Sequence, residues 1–463
     1  MPALSTPTPT FSPSPPGARH PLPSFGSECR DTLLLAMPLI SGQLSQMLMG
    51  VVDTIMVGRL GVVPLGAATF SNTVLMVPFV LGLGLLSSVS VRVSQASGAD
   101  RPHDAREALR HATWLALGYG LLIVLAVGLG LPLLSALGQP PEVVARSPIF
   151  LMTCAVSLVP ALLSMTWKSH ADALNHPWPP FWIMLGGVGV NVILNWLLIW
   201  GHCGFPALGL EGAGVATLAA RILAAVVMFR WITRSERVRD WTPPRWFVRC
   251  RLGAFFHLLA IGFPASLQML TEVCAFSAAS LLIGTLGSVA LAAHQVAITC
   301  AATTFMVPLG VALAITVRVG EIVGAGERPR LRRVLLGGWL FAVSFMSVSM
   351  LAFLLFGRDI GALFVSDAGV IEIAARLLVV AGVFQLFDGI QVVSSCALRG
   401  VNDVRAPAWV AFFAYWIVAL PCGATLGLGL HQGAIGVWIG LAMGLGVTAA
   451  ALSFRAWRKL GNG

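Results

Sequence analysis

Twelve times over, the chain runs apolar for some two dozen residues: about 31–57, 63–91, 108–134, 146–167, 179–201, 208–233, 254–284, 288–317, 333–356, 375–397, 408–430 and 433–455. Each run reaches the ~20 residues that a helix needs to cross a bilayer. A soluble core cannot hide that much apolar surface. Only 10% of the 463 residues are charged, against roughly 25% in soluble domains, and the mean hydropathy is +0.85. A soluble enzyme is therefore excluded. So is a β-barrel, whose short strands alternate apolar and polar residues. The fold class expected is an all-α polytopic membrane protein with twelve transmembrane helices.

The remaining charge supports that count. The net charge is +10. Arg and Lys crowd into alternate loops and the two tails, among them Arg92, Arg101, Arg106, Arg110, Lys168, Arg234, Arg318, Arg330, Arg405 and Arg455. The other face carries Arg59, Arg146, Arg358 and Arg376. The positive-inside rule makes the basic face cytoplasmic, with both termini inside. The basic excess thus marks a membrane orientation and not a nucleic-acid site. Residues 1–29 are rich in Pro and Ser and lack the apolar stretch of a signal peptide; they are expected to be a disordered tail. The eight cysteines are scattered without a CxxC spacing, so neither a zinc site nor a disulfide framework is expected. No Walker A, HExxH or nucleophile-elbow pattern occurs, and no cofactor is expected.

The chain repeats itself at a shift of 226 residues. Pro38 meets Pro264, Gly58 meets Gly284, Leu60-Gly61 meets Leu286-Gly287, and Leu83-Gly84 meets Leu309-Gly310. Val91-Arg92-Val93 meets Val317-Arg318-Val319, and Gly98 meets Gly324. This implies two pseudo-symmetric six-helix bundles around a central cavity. Their expected bounds are 30–233 and 252–458, with a cytoplasmic linker at 234–251 and a short tail at 459–463. Six is even, so both bundles enter the membrane the same way round, related by an axis along its normal.

Ionisable residues deep in a bilayer are costly and point to function. Asp53 lies toward the outer end of span 1. Glu272 in span 7 lies twelve residues before Gly284, or ~18 Å along a helix. Asp388 in span 10 stands between Arg376 and Arg399. Glu272 and Asp388 thus share a depth near the midplane, and no basic residue of spans 7 or 10 lies there. Two such carboxylates must share a cation or take up protons, unless one is held permanently protonated in an interhelical hydrogen bond. Among neutral groups, Asn191 and Asn195 share one face of span 5 and Thr217 lies on span 6. Gln43, Gln46 and Gln268 face a cavity or another helix, and Gln295 follows His294. His294 reads as a satisfied structural histidine. Arg221, inside span 6, is expected to snorkel toward the cytoplasm.

At these positions the sequence resembles the multidrug and toxic compound extrusion family, its bacterial NorM-like branch in particular, from about Leu33 to Trp457. The markers are Met49-Gly50-Val51-Val52-Asp53-Thr54-Ile55-Met56-Val57-Gly58, Pro264 with Glu272, and Leu291-Ala292-Ala293-His294-Gln295. To these are added Val317-Arg318-Val319-Gly320 and Ala397-Leu398-Arg399-Gly400-Val401-Asn402-Asp403. The resemblance implies an exporter of amphipathic organic cations in the bacterial inner membrane. It would work by antiport against Na⁺ or H⁺, without an obligate protein partner. The coupling acids would be Asp53, Glu272 and Asp388, with Na⁺ possible at the last two and no structural metal. Asn191, Asn195 and Thr217 match a first-lobe polar cluster. The archaeal branch has an acid where this chain has Asn195. Phe384 stands where some sodium-coupled relatives have a tyrosine, which leaves the choice of ion open. The alternative is a related exporter or flippase of another cargo, such as a lipid-linked sugar or a metabolite.

Overall fold

The computed structural model describes residues 23–247 and 251–461. Twelve of its helices are long and apolar enough to span a bilayer. They are α1 (Phe25–Gly58), α2 (Val62–Gly98), α3 (Pro102–Gly130), α4 (Pro141–Ala173), α5 (Trp178–Trp200) and α6 (Leu210–Arg234) in the first half. The second half holds α7 (Leu252–Gly284), α8 (Ser288–Ala325), α9 (Leu331–Phe364), α10 (Ala368–Gly400), α11 (Arg405–Gly429) and α12 (Gly433–Gly461). Leu122, Leu125, Leu129, Leu351 and Leu355 are exposed on their outer faces. In a protein bathed by lipid such surface is solvated, not wasted.

α1 begins earlier than the apolar run suggests. Ser24 caps it, its Oγ accepting the Ser27 N–H at 3.2 Å. Residues 25–29, read from sequence as part of a loose tail, form its first turns; residues 1–22 lie outside the described residues. The reason is electrostatic. Glu28 is fully buried and its carboxylate accepts from Arg318 of α8 at 2.5 Å and from Arg330 before α9 at 2.5 Å. Composition alone cannot reveal two arginines waiting some 290 positions downstream.

The internal repeat is visible as local geometry. α1 and α2 are joined through Gly61 at φ 111°, and α7 and α8 through Gly287 at φ 112°. Both turns repeat one hydrogen-bond pattern: Gly61 N–H to Gly58 O and Leu65 N–H to Gly61 O, then Gly287 N–H to Gly284 O and Leu291 N–H to Gly287 O. A side chain would strain that backbone region, which glycine enters freely.

Among the described residues the halves meet along the end of the bundle where α1 starts and α12 finishes. Gly84 of α2 lies against Ser266 of α7, and its repeat mate Gly310 of α8 lies against Ile40 of α1. Gly98 packs on the Glu321 carbonyl, and its mate Gly324 on the Gln95 carbonyl. At the same end Asn402 donates to Gln95 Oε1 at 3.2 Å, and Asn175 donates to Glu321 Oε1 at 3.3 Å. Small residues at these points let backbones approach closely. Toward the opposite end Val51, Ile55, Val62, Leu281 and Val289 are exposed. The molecule is therefore a V, closed at the terminal face and open at the other. The described part of the linker between α6 and α7 is pinned: Arg106 Nε donates to the Asp240 carbonyl at 2.6 Å and Trp114 Nε1 to the Trp246 carbonyl at 3.1 Å.

Candidate functional site

The predicted acids fall in two polar clusters within the helices, one in each half. The first surrounds Asp53 of α1. Asn195 Nδ2 of α5 donates to Asp53 Oδ1 at 2.6 Å and lies 3.1 Å from Asn191 Oδ1. Asn191 Nδ2 donates to Thr217 Oγ1 of α6 at 3.3 Å, and the threonine hydroxyl donates to the Ala213 carbonyl. The i,i+4 spacing of the two asparagines thus makes one continuous chain from α1 through α5 to α6. Both are fully buried, and Asn195 Oδ1 has no hydrogen-bond partner among the described residues. That orphaned acceptor stands beside a carboxylate, where it can receive a proton donor or ligate a cation.

Asp53, Thr217 and Arg221 line a cavity of about 600 Å³ with Met76, Phe79 and Phe150. Arg221 does not snorkel: its Nη1 donates to Ser157 Oγ of α4 at 2.7 Å. The geometry forbids the alternative. Thirteen residues separate it from Arg234, ~20 Å of helix, far beyond the reach of its side chain. It shares the cavity with Asp53 without an ion pair between them within 4 Å.

The second cluster joins α7, α10 and α11. Glu272 Oε1 accepts from Gln268 Nε2 at 3.1 Å and from Gln391 Nε2 of α10 at 2.9 Å. Ser395 Oγ donates to Gln268 Oε1 at 3.0 Å, and the Tyr415 hydroxyl of α11 to Gln391 Oε1 at 3.3 Å. Each amide thereby spends its oxygen on a hydroxyl and turns its N–H toward the carboxylate. Asp388, one turn before Gln391, has neither a hydrogen-bond partner nor an ion pair among the described residues. Glu272 likewise has no basic partner within 4 Å among them. Both are half-buried. Gln391, Ser395 and Tyr415 escaped the sequence reading because only the packing of α10 and α11 against α7 brings them to Glu272 and Gln268. Tyr415 is one of only two tyrosines in the chain, and that scarcity was the one available hint. Phe384 is buried against Phe276 and Trp438; the phenolic hydroxyl of this cluster comes instead from Tyr415 of α11.

The other predicted residues do not join these clusters. Gln43 and Gln46 are half-buried and Gln295 is exposed, each without a side-chain partner among the described residues. His294 is fully buried. Trp438 Nε1 donates to its Nδ1 at 3.0 Å, and its Nε2 meets Ser280 Oγ at 2.7 Å. An indole N–H only donates, so Nδ1 accepts and Nε2 carries the proton. His294 is thus a satisfied structural group.

Comparison with known proteins places this architecture. The MatE family profile matches residues 38–197 and 264–425, two segments that begin 226 residues apart like the internal repeat. The "Probable multidrug resistance protein NorM" of Bradyrhizobium diazoefficiens is 37% identical and covers 96% of both chains. The protein of the same name from Xylella fastidiosa is 36% identical over 94% of this chain and 92% of that one. Among solved structures, the Vibrio cholerae MATE transporter VcmN in its bent form superposes with a TM-score of 0.85 at 23% identity, over 94% of this chain and 97% of that one. A multidrug resistance MATE family transporter in an outward-facing conformation gives 0.87 at 19% identity, over 94% and 96%. At those identities the likeness is one of fold.

Proposed function

Because this chain belongs to the MatE family of multidrug and toxic compound extrusion transporters, and so is a multi-pass membrane transporter and not an enzyme, we propose that it exports amphipathic organic cations by antiport against Na⁺ or H⁺. The observation that carries this reading is the placing of Glu272 and Asp388: neutral amides hold Glu272, Asp388 has no hydrogen-bond partner, and neither has a basic group within 4 Å among the described residues. Two carboxylates in one low-dielectric site repel, so at least one must bind a proton or a metal cation. A permanent arginine would cancel that need. The open side of the V faces the periplasm, since the closed face carries the Arg-rich loops. The coupling cation enters there, loads Glu272 and Asp388, and favours closure of that side. Asp53 and its asparagine chain sense the cargo in the first half, where Met76, Phe79 and Phe150 offer an apolar wall beside Arg221. Rocking of α1–α6 against α7–α12 completes the cycle.

The test is exchange in vesicles with the Na⁺ and pH gradients set independently. Wild-type protein should move an organic cation such as ethidium against one of them. Glu272→Gln and Asp388→Asn should each abolish that movement. Undiminished exchange in both variants would refute the assignment.

A further inference from the structure

The internal repeat exposes an asymmetry at the closed face. Arg318 of α8 is enclosed by three carboxylates: Glu28 at 2.5 Å, Asp31 at 3.7 Å and Glu321 at 3.6 Å. Shifting each by 226 residues gives the other copy. Arg318 becomes Arg92 of α2, and its three acids become Ala254, His257 and Gln95. The fold thus builds the same arginine twice and supplies its counter-charge once. Arg92 is exposed and has no ion pair among the described residues.

Space exists where two of the three missing acids, at Ala254 and His257, would stand. Arg92 and His257 line two adjoining cavities. One, of about 430 Å³, also takes in Asn402, Asp403 and Arg405; the other, of about 260 Å³, takes in Ala254, His111 and Arg251. The acids around these cavities are committed elsewhere. Asp403 accepts from Arg455 at 2.8 Å, with Lys459 at 3.6 Å. Glu107 is shared by Arg110 and Arg251, and Asp104 faces Arg101 at 3.4 Å. Arg405, also exposed and unpaired among the described residues, opens α11, whose first turn has no side-chain cap and so offers positive potential. Val91, Ile261 and Val404 form a buried apolar cluster that ties α2, α7 and the start of α11 together at this place. Leu252 and Phe256, near the start of α7, are exposed to the surroundings of the bundle.

We propose that the Arg92–His257–Arg405 cleft binds the phosphate headgroup of an anionic phospholipid from the cytoplasmic leaflet, which supplies to α2 the counter-charge that Glu28 supplies to α8. A phosphate suits it because two guanidiniums can donate to its oxygens. A lipid suits it better than a free ion because the cleft combines basic groups with an apolar cluster and lies at the ends of spanning helices, where such pockets take lipid headgroups. The cleft joins α2 of one half to α7 and α11 of the other, so the ligand braces the closed face.

The experiment follows thermal unfolding of the full-length purified protein with added phosphatidylglycerol, phosphatidylcholine or inorganic phosphate. Phosphatidylglycerol should raise the transition temperature, and the other two should not. Arg92→Gln should weaken the apparent phosphatidylglycerol affinity about fivefold. Ala254→Glu, which installs the mate of Glu28, should be stable without lipid and indifferent to phosphatidylglycerol. An equal response of wild type to phosphatidylcholine would overturn the proposal. So would a full phosphatidylglycerol response in Ala254→Glu, even if Arg92→Gln failed to fold. Stabilisation by inorganic phosphate alone would place a free anion in the cleft and refute the lipid.

Discussion

At the scale of the residue, what distinguishes the two halves is how each treats its acids. The first half gives Asp53 one amide donor, Asn195; the second gives Glu272 two, Gln268 and Gln391, where the repeat mate of Glu272 is the uncharged Gln46. The arrangement predicts a graded series. Tyr415→Phe removes a single neutral hydrogen bond, worth about 1 kcal/mol, and frees Gln391 to rotate. Exchange should survive with a severalfold weaker dependence on the coupling ion, read from ion titration of transport rates. Trp438→Phe strands His294 Nδ1 in an apolar setting, at a cost of about 1–3 kcal/mol. It should lower the unfolding temperature and leave the ion-to-drug ratio unchanged; an altered ratio would put His294 in the coupling path. The three acids were legible in the sequence because charge is rare in apolar runs. Of their neutral partners, Asn191, Asn195, Thr217 and Gln268 were legible too, but Gln391 and Tyr415 were not, since only the packing of α10 and α11 on α7 brings them to Glu272. Arg221 was misplaced for a related reason. Its surroundings, and not its own preference for water, decide where a mid-helix guanidinium points.

At the scale of the element, the sequence spoke through punctuation. Gly61 and Gly287 mark two copies of one turn, and the repeat carried both the helix pairing and the even count. Gly61→Val or Gly287→Val forces a β-branched side chain to φ near 111°, a cost of roughly 1–2 kcal/mol or more. Each variant should reduce folded yield comparably, as judged by gel filtration. A large loss from one and none from the other would mean that the two hairpins are not equivalent. The start of α1 was not legible, because a helix that opens in a Pro/Ser-rich region depends on Ser24 and on the distant Arg318 and Arg330.

At the scale of the molecule, the closed face holds the V open. Its seam is two-fold in backbone contacts but one-sided in charge, with Glu28 bridging α1 to α8 and α9. Removing one partner from a buried ion pair is destabilising by about 3–5 kcal/mol when nothing compensates. Glu28→Gln should therefore shift the population toward the inward-facing form. Spin labels at positions 62 and 288 would report a larger share of short distances between the outer hairpins; an unchanged distribution would mean that the latch bears no part of the equilibrium. In the proposed cycle cargo and coupling ion compete within this two-state frame, the ion favouring closure of the side from which it enters. The most direct measurement is cation release on drug binding. Purified protein, loaded with Na⁺ or equilibrated in weak buffer, is mixed with a transported organic cation. Displaced Na⁺ or a released proton should appear with wild type and vanish in the Glu272→Gln, Asp388→Asn double variant. Drug binding that displaces no cation from wild type, or the same amount from both, would contradict the account.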